Sequence, residues 1–307
     1  MANGIAREPE TSIIALARHP PGPGVLAAPI RFEAADLFDS TTTSRVREAE
    51  VVVHLAARLH INDPGETTRA EYERTNVEAT KRLVDATRPA SRFVFFSTID
   101  VYGPTPTGSI ATEETPPRPR SFYAETKLRA EDIVLGHPGG VVVRLAAVYG
   151  PRMKGNYARL LHALSRGRYV KIGPGTNVRT LIFEDDVAEA AWIVGNGPAT
   201  SSRRYNVTDG GVHSLNEIVA AISGAIGRTP PALVLPVPVV RAGASTLDAV
   251  FRAVGRRSPL TPQMIDKLQE NVAVSGLRLQ RDTNFRPRFD LATGWKTVVE
   301  SSAAPVA

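Results

Sequence analysis

Arg92-Phe93-Val94-Phe95-Phe96-Ser97-Thr98-Ile99-Asp100-Val101-Tyr102-Gly103 is the stretch on which the fold turns. Arg92–Ser97 is a short, almost wholly apolar run, the pattern of a parallel strand covered on both faces. Ser121 to Leu135 follows with helical spacing, ends at Gly136, and has Pro138 just beyond as a stop signal. A second apolar run, Val141–Leu145, then leads into Val148-Tyr149-Gly150-Pro151. Working toward the N-terminus, Val51–Leu55, Ile30–Phe32 and Ser12–Ala17 read as further strands, and Thr67 to Thr87, closed by Pro89, reads as a long helix. Strand–helix–strand alternation of this kind predicts an α/β domain with a doubly wound (Rossmann-like) parallel sheet over residues 1–150.

After Gly150 the rhythm changes. Gly155–Gly167 and Phe183–Val194 read as helices separated by a turn-rich segment, Gly173–Asn177. Ser214-Leu-Asn-Glu217 is a capping-box pattern that opens a helix through Ile226. Prolines interrupt an apolar segment from Thr229 to Val240, and further helical pieces follow. The expectation is a smaller C-terminal α/β lobe over 151–307 that binds substrate, with some segments returning to the main sheet.

Composition narrows the class. Of 307 residues, 42% are hydrophobic and 22% charged, as in ordinary globular proteins. No apolar run nears the roughly 20 residues that span a bilayer, so an integral membrane protein is not expected. Met1 to Glu10 lack the basic-then-apolar order of a secretory leader. The absence of cysteine excludes disulfides, thiol nucleophiles and thiolate zinc sites, and leaves cytoplasm as the default compartment. Six histidines are scattered without metal-ligand spacing, so no metal is expected. The net charge of +6 is spread over isolated positions such as Arg203-Arg204 and Arg256-Arg257. That describes a solvated, mildly basic surface rather than a nucleic-acid footprint.

Tyr123 and Lys127 carry the chemistry. Spaced i, i+4, they share one helix face. A phenol has a pKa of about 10, and a neighbouring ammonium stabilises the phenolate, bringing it toward the range a general acid or base needs. A hydroxyl at Thr98 suits the positioning of a substrate oxygen. Together they fit proton removal from an alcohol or sugar hydroxyl while hydride leaves the same carbon. A Tyr-x-x-x-Lys alone also arises by chance; the combination with Ser97-Thr98-x-x-Val-Tyr-Gly and Val-Tyr-Gly-Pro is far more specific.

On these residues the chain resembles the extended short-chain dehydrogenase/reductases, in the NAD-dependent epimerase/dehydratase family that acts on nucleotide sugars. The resemblance runs from about Ser12 to Val299. It implies Thr98, Tyr123 and Lys127 as a catalytic triad, with Lys127 also on the nicotinamide ribose. It also implies cofactor contacts from Arg18, Asp36 and Leu37, from Leu55, Ala56 and Ala57 of His54-Leu-Ala-Ala-Arg58, and from Asn76, Ser97, Tyr123 and Lys127. For the substrate it implies Asn156, in Lys154-Gly-Asn-Tyr157, and Arg179, whose guanidinium fork suits a diphosphate. The less favoured alternative for Arg179 is a surface ion pair with Glu184 or Asp185. Asp185 and Asp186 read as openers of the following helix.

Such enzymes begin with a strand and a Gly-rich turn that approaches the pyrophosphate. Met1 to Glu10 read instead like the end of a first helix, and Gly22 and Gly24 follow the Ser12–Arg18 strand. Either the start is truncated or the chain lacks the phosphate loop. At the end of that strand Arg18 stands where an acid favours NAD, leaning the cofactor, NAD or NADP, toward NADP. The reading is an NAD(P)-dependent epimerase or reductase of a nucleotide sugar or lipid-diphosphate sugar, a homodimer through Thr67–Thr87 and Ser121–Leu135. The alternative is a non-catalytic sugar-nucleotide-binding protein that has lost its dinucleotide site.

Overall fold

A computed structural model describes residues 11–22, 26, 30–59, 66–198, 200–256 and 258–303. Met1 to Glu10 and Gly24 lie outside the described residues.

The architecture is a parallel, Rossmann-like α/β fold. In the first half the order is β1 (Ile14–Ala17), β2 (Arg31–Ala34), α1 (Ser40–Glu48), β3 (Val51–His54), α2 (Glu66–Tyr72), α3 (Ala79–Ala86), β4 (Arg92–Thr98), α4 (Phe122–Gly136) and β5 (Gly140–Leu145). The second half continues with β6 (Ala147–Tyr149), α5 (Asn156–Ser165), β7 (Lys171–Ile172), β8 (Val178–Arg179), β9 (Leu181–Phe183), α6 (Glu184–Asn196) and β10 (Arg204–Val207). It ends with β11 (His213–Ser214), α7 (Leu215–Ala225), β12 (Val234–Leu235), α8 (Val237–Ala253), α9 (Pro262–Gln269), α10 (Leu277–Asp282) and α11 (Leu291–Ala303).

Four strands form the main sheet in the order β10-β5-β4-β3, all parallel, so β10 from the second half returns to it. Period-two alternation sorts the side chains of the central strands. Phe93, Phe95 and Val142 face Val46 of α1, Leu83 of α3 and Val134 of α4, whereas Val94, Phe96, Val141 and Val143 face Val187, Ala190 and Val194 of α6. Consecutive apolar residues are what a strand covered on both faces requires. β1 and β2 pair separately, and among the described residues β1 and β3 each have a strand partner on one side only. Among the described residues β1–β5 and β10 therefore fall into two ladders instead of one continuous sheet, and β6-β9 and β7-β12 form two further parallel pairs.

The helix expected over Thr67–Thr87 is interrupted. Glu73–Glu78 form a π-helical turn between α2 and α3, and the extra residue turns Asn76 and Val77 inward. Such bulges persist where a side chain pays back the lost helical geometry. Here Asn76 does so with three hydrogen bonds, to the backbone N–H and C=O of Arg58 and to Thr126. α4 starts where Ser121 accepts a hydrogen bond from the Ala124 N–H. The capping box at Ser214 and Glu217 is present in full at the start of α7.

The second half adds its own core, in which Tyr149, Leu181, Phe183 and Ile218 surround the fully buried Trp295. Gly294 is required there, because a Cβ would lie 2.1 Å from the Tyr149 hydroxyl.

Candidate functional site

Three elements converge at the C-terminal end of β4. Thr98 ends the strand, and its hydroxyl accepts the Asp100 N–H at 3.2 Å, turning the chain into a short 3₁₀ turn, Ile99–Tyr102. Gly103 leaves that turn with φ 69°, and a side chain there would strike the Arg118 carbonyl. Tyr123 and Lys127 stand in the first turns of α4. The buried face of that helix carries Ala124, Lys127, Ala130, Glu131 and Val134, so two charged residues occupy core positions.

Burying a charge is costly unless it is paired. Glu131 is fully buried and is gripped by Arg144 of β5, with Nη2 at 2.6 Å and Nε at 3.0 Å, while Ser97 Oγ donates to it. Arg204 approaches the same carboxylate at 3.4 Å, and the Arg144 guanidinium lies 4.7 Å above the Tyr102 ring. Lys127, one turn before Glu131 and 1% exposed, sets its ammonium 3.9 Å from the Phe95 ring centre. Burial pushes Lys127 down to about 7, against the opposing pull of the Glu131 charge. Burial and the Lys127 charge hold His54 neutral, down to about 3, with its Nε2 3.0 Å from the Thr80 hydroxyl.

Tyr123 behaves otherwise than the i, i+4 reading anticipates. Burial, the Asp100 carboxylate and Tyr72 push its phenol up. The Lys127 ammonium rests on Phe95, and its own burial cost dominates its titration. The helical face was legible in the sequence; the desolvation acting on both groups was not.

Beside this end lies a cleft of about 730 Å³. It is lined by Arg18 at the end of β1, by Asp36 and Leu37 after β2, and by Ala56 and Ala57 after β3, all expected as cofactor contacts. The Asp36 carboxylate accepts the Phe38 N–H at 3.0 Å, shaping the cleft wall. Arg58, which salt-bridges Glu71 at 2.9 Å, and Arg74, stacked 4.7 Å over Phe38, line the cleft as well and were not anticipated. Arg58 closes the quoted His54–Arg58 motif, and that adjacency was the available signal. Leu55 is exposed at the end of β3. Asn76 spends its amide on Arg58 and Thr126, so it shapes the loop after β3 rather than facing the cleft. Ser97 is buried against Glu131.

The two expected substrate residues sit apart in character. Asn156 is exposed at the start of α5 and accepts from Arg159 at 2.7 Å. Arg179 donates to the carbonyls of Val178, Lys267, Leu268 and Glu270, closing the C-terminus of α9. The ion pair with Glu184 or Asp185 does not form; Glu184 takes Arg152 instead, at 3.1 Å. Asp186 is in the first turn of α6, as read, but is buried and accepts the N–H groups of Arg288 and Phe289. Among the described residues no group of three or more His, Asp or Glu is placed to hold a metal.

The exposed guanidinium groups of the cleft suit phosphate, whereas Thr98, Tyr123 and Lys127 are not among the residues that line it and stand at the end of β4 and on α4. The family model of the NAD-dependent epimerases/dehydratases matches residues 3–208. A dTDP-glucose 4,6-dehydratase of Streptomyces griseus is 30% identical over 279 residues, 88% of this chain and 76% of that protein. A UDP-glucose 4-epimerase of Mycolicibacterium smegmatis is 34% identical over 222 residues, 64% of this chain and 67% of that one. The solved structure of MoeE5 in complex with UDP-glucose and NAD is similar with a TM-score of 0.70 at 26% identity, covering 95% of this chain and 90% of that chain.

Proposed function

This chain belongs to the NAD-dependent epimerase/dehydratase family, and from that premise we propose that it is an epimerase or reductase of a nucleotide-activated sugar, using NADP in preference to NAD. The observation that carries the reading is Lys127: an ammonium at a core position of α4, one turn after Tyr123, and at a pKa of about 7 able to change charge in the working range. Structural lysines seldom occupy such positions; catalytic ones do.

Arg18, Arg58 and Arg74 would hold the phosphates and the adenosine end of the dinucleotide, and Lys127 its nicotinamide ribose. When bound, that cofactor supplies reversible hydride acceptance. Thr98 orients a sugar hydroxyl. Tyr123 takes or returns the hydroxyl proton at its phenolic oxygen. The Lys127 ammonium stabilises the phenolate form, which takes that proton and is regenerated when it is returned, lowering the barrier that burial and Asp100 impose on ionising the phenol. Asn156 and Arg179 belong to the diphosphate side of the substrate, Arg179 after release of some of its carbonyl partners.

The NADP preference rests on Arg18 at the end of β1, with Arg74 and Arg58 lining the same cleft. A 2′-phosphate finds charge-assisted donors there.

The test pairs binding with turnover. Fluorescence titration with NADPH and NADH should give tighter NADPH binding, and UDP-glucose-type substrates should turn over. Tyr123→Phe should lower kcat by roughly 10²–10⁴-fold, the usual contribution of a positioned general acid–base. Full turnover by Tyr123→Phe would refute the catalytic assignment. Failure to bind either dinucleotide, with nucleotide sugar still bound, would leave the non-catalytic reading.

A further inference from the structure

Among the described residues, eight of the fourteen large apolar side chains that are exposed fall between residues 233 and 268. They lie on or directly beside β12 (Leu233, Val234, Leu235), α8 (Val239, Val250, Val254) and α9 (Met264, Leu268), Leu233 just before the strand and Val254 just after the helix, with exposures from 38% to 65%. Isolated exposed apolar residues are normal, but a concentration of them marks a contact surface.

The α8 helix shows how that surface is made. Its inner side, with Ala244 fully buried, packs toward α9 and the buried Ile265. Its exposed side includes Arg241 and Arg252, but at 100° per residue these fall to one flank, and the arc through 239, 242, 243, 246, 249, 250 and 253 carries no charge. Even the polar residue on that side is turned inward, since the Thr246 hydroxyl donates to the Ala242 carbonyl of its own helix at 3.2 Å. Thr246 thus has its hydroxyl satisfied within the helix.

The charge around this surface is one-sided. Residues 226–270 contain five arginines and Lys267 against three acids, Asp248, Asp266 and Glu270. Arg252 is taken by Asp248, and Arg241 pairs with Asp266 at 2.9 Å. Arg228 and Arg256 have no carboxylate partner among the described residues. A second copy placed symmetrically on the α8 face would bring like charges toward one another. An apolar helical strip bordered by unneutralised arginines complements an anionic lipid surface instead: side chains enter the acyl boundary and guanidinium groups stay among the headgroups. No helix among the described residues is long and apolar enough to cross a membrane, so the contact would lie in the interface plane.

We infer that the outer face of α8, with the neighbouring exposed residues of β12 and α9, docks this protein on anionic lipid membranes. The carbonyls at the end of α9 are the ones that Arg179 closes, so the docked face adjoins the lobe that carries the expected substrate residues.

The experiment is co-sedimentation of the full chain with vesicles of equimolar phosphatidylglycerol and phosphatidylcholine, and with phosphatidylcholine alone. Binding should require phosphatidylglycerol and weaken as salt is raised. Val250→Asp combined with Val254→Asp should lower partitioning by about tenfold or more. Arg256→Glu should lower it less, by roughly fivefold, consistent with one headgroup contact. Both sites are exposed, and far-UV circular dichroism checks the fold; should the double variant misfold, Val239→Glu on the same face puts the same question. Absence of pelleting with phosphatidylglycerol vesicles, or unchanged pelleting by a folded variant, overturns the proposal. So does a lipid-free dimer that Val250→Asp converts to monomer, since a second copy would then own this face.

Discussion

The two ends of the candidate dinucleotide site are built on opposite electrostatic plans. At the Lys127 end the charges are buried: Lys127 and Glu131 of α4 and Arg144 of β5 are at most 1% exposed. At the Arg18 end the cleft is open, and Arg58 and Glu71 meet with side chains 43% and 49% exposed. Proton transfer benefits from desolvation, because burial moves a lysine into the working pH range and strengthens nearby charges. Capture of a phosphate needs cations that are accessible and permanently charged, which arginine supplies without a pKa change. The same residue type is thus a buried clamp in Arg144, and in the proposed function the exposed arginines of the cleft would act as an open receptor.

The comparison is most directly attacked at Glu131. Glu131→Gln leaves Arg144 buried beside a neutral amide, and breaking a buried pair in this way costs about 3–5 kcal/mol. The matching change in the cleft, Glu71→Gln, should cost no more than about 1 kcal/mol. Urea denaturation of both variants reads the difference, and equal losses would erase the distinction between the two ends.

Lys127→Met sharpens it through pH. Lys127 holds its proton less tightly folded, at about 7, than unfolded, at its ordinary 10.5. Its burial therefore penalises the native state fully below pH 7, and the penalty fades as pH rises from about 7 toward 10.5. The methionine variant should be more stable than the wild type at pH 6 by on the order of 3 kcal/mol, with the gap closing by pH 10. A gap independent of pH in melting experiments would mean that Lys127 stays charged in the fold.

At the open end the effects are smaller. Arg18→Ser should weaken NADPH binding by about tenfold and leave NADH nearly unchanged, as expected for loss of one hydrogen bond between charged groups. A parallel loss for both dinucleotides would show that Arg18 does not read the 2′ position. Arg74→Ala removes the stacking on Phe38 and should cost about 0.5–1 kcal/mol in thermal unfolding.

Much of the fold was legible because its signals are local. The valine runs of β3 and β5, the apolar β4, Ser121 before α4 and the Ser214–Glu217 box each act within one turn or one strand. Tyr123 and Lys127 were legible as a pair for the same reason, since i, i+4 spacing fixes a shared face. The cleft residues Arg18, Asp36, Ala56 and Ala57 were reached through resemblance, and each stands just beyond a strand end where a parallel sheet gathers its ligand-facing loops.

What only the tertiary structure decided are the partners and the solvent. Asn76 read as a residue of an unbroken helix, yet its partners Arg58 and Thr126 lie 18 and 50 positions away, and meeting them requires the π-helical turn. Arg179 read as a diphosphate ligand or a surface ion pair, and its carbonyl partners lie about ninety positions on, at the end of α9. The charge state of Lys127 depends on Phe95, Glu131 and Arg144 coming from three different elements and excluding water. Periodicity in the chain specifies which face of an element turns inward; the identity of what meets that face, and the dielectric it finds there, exist only once distant segments have packed.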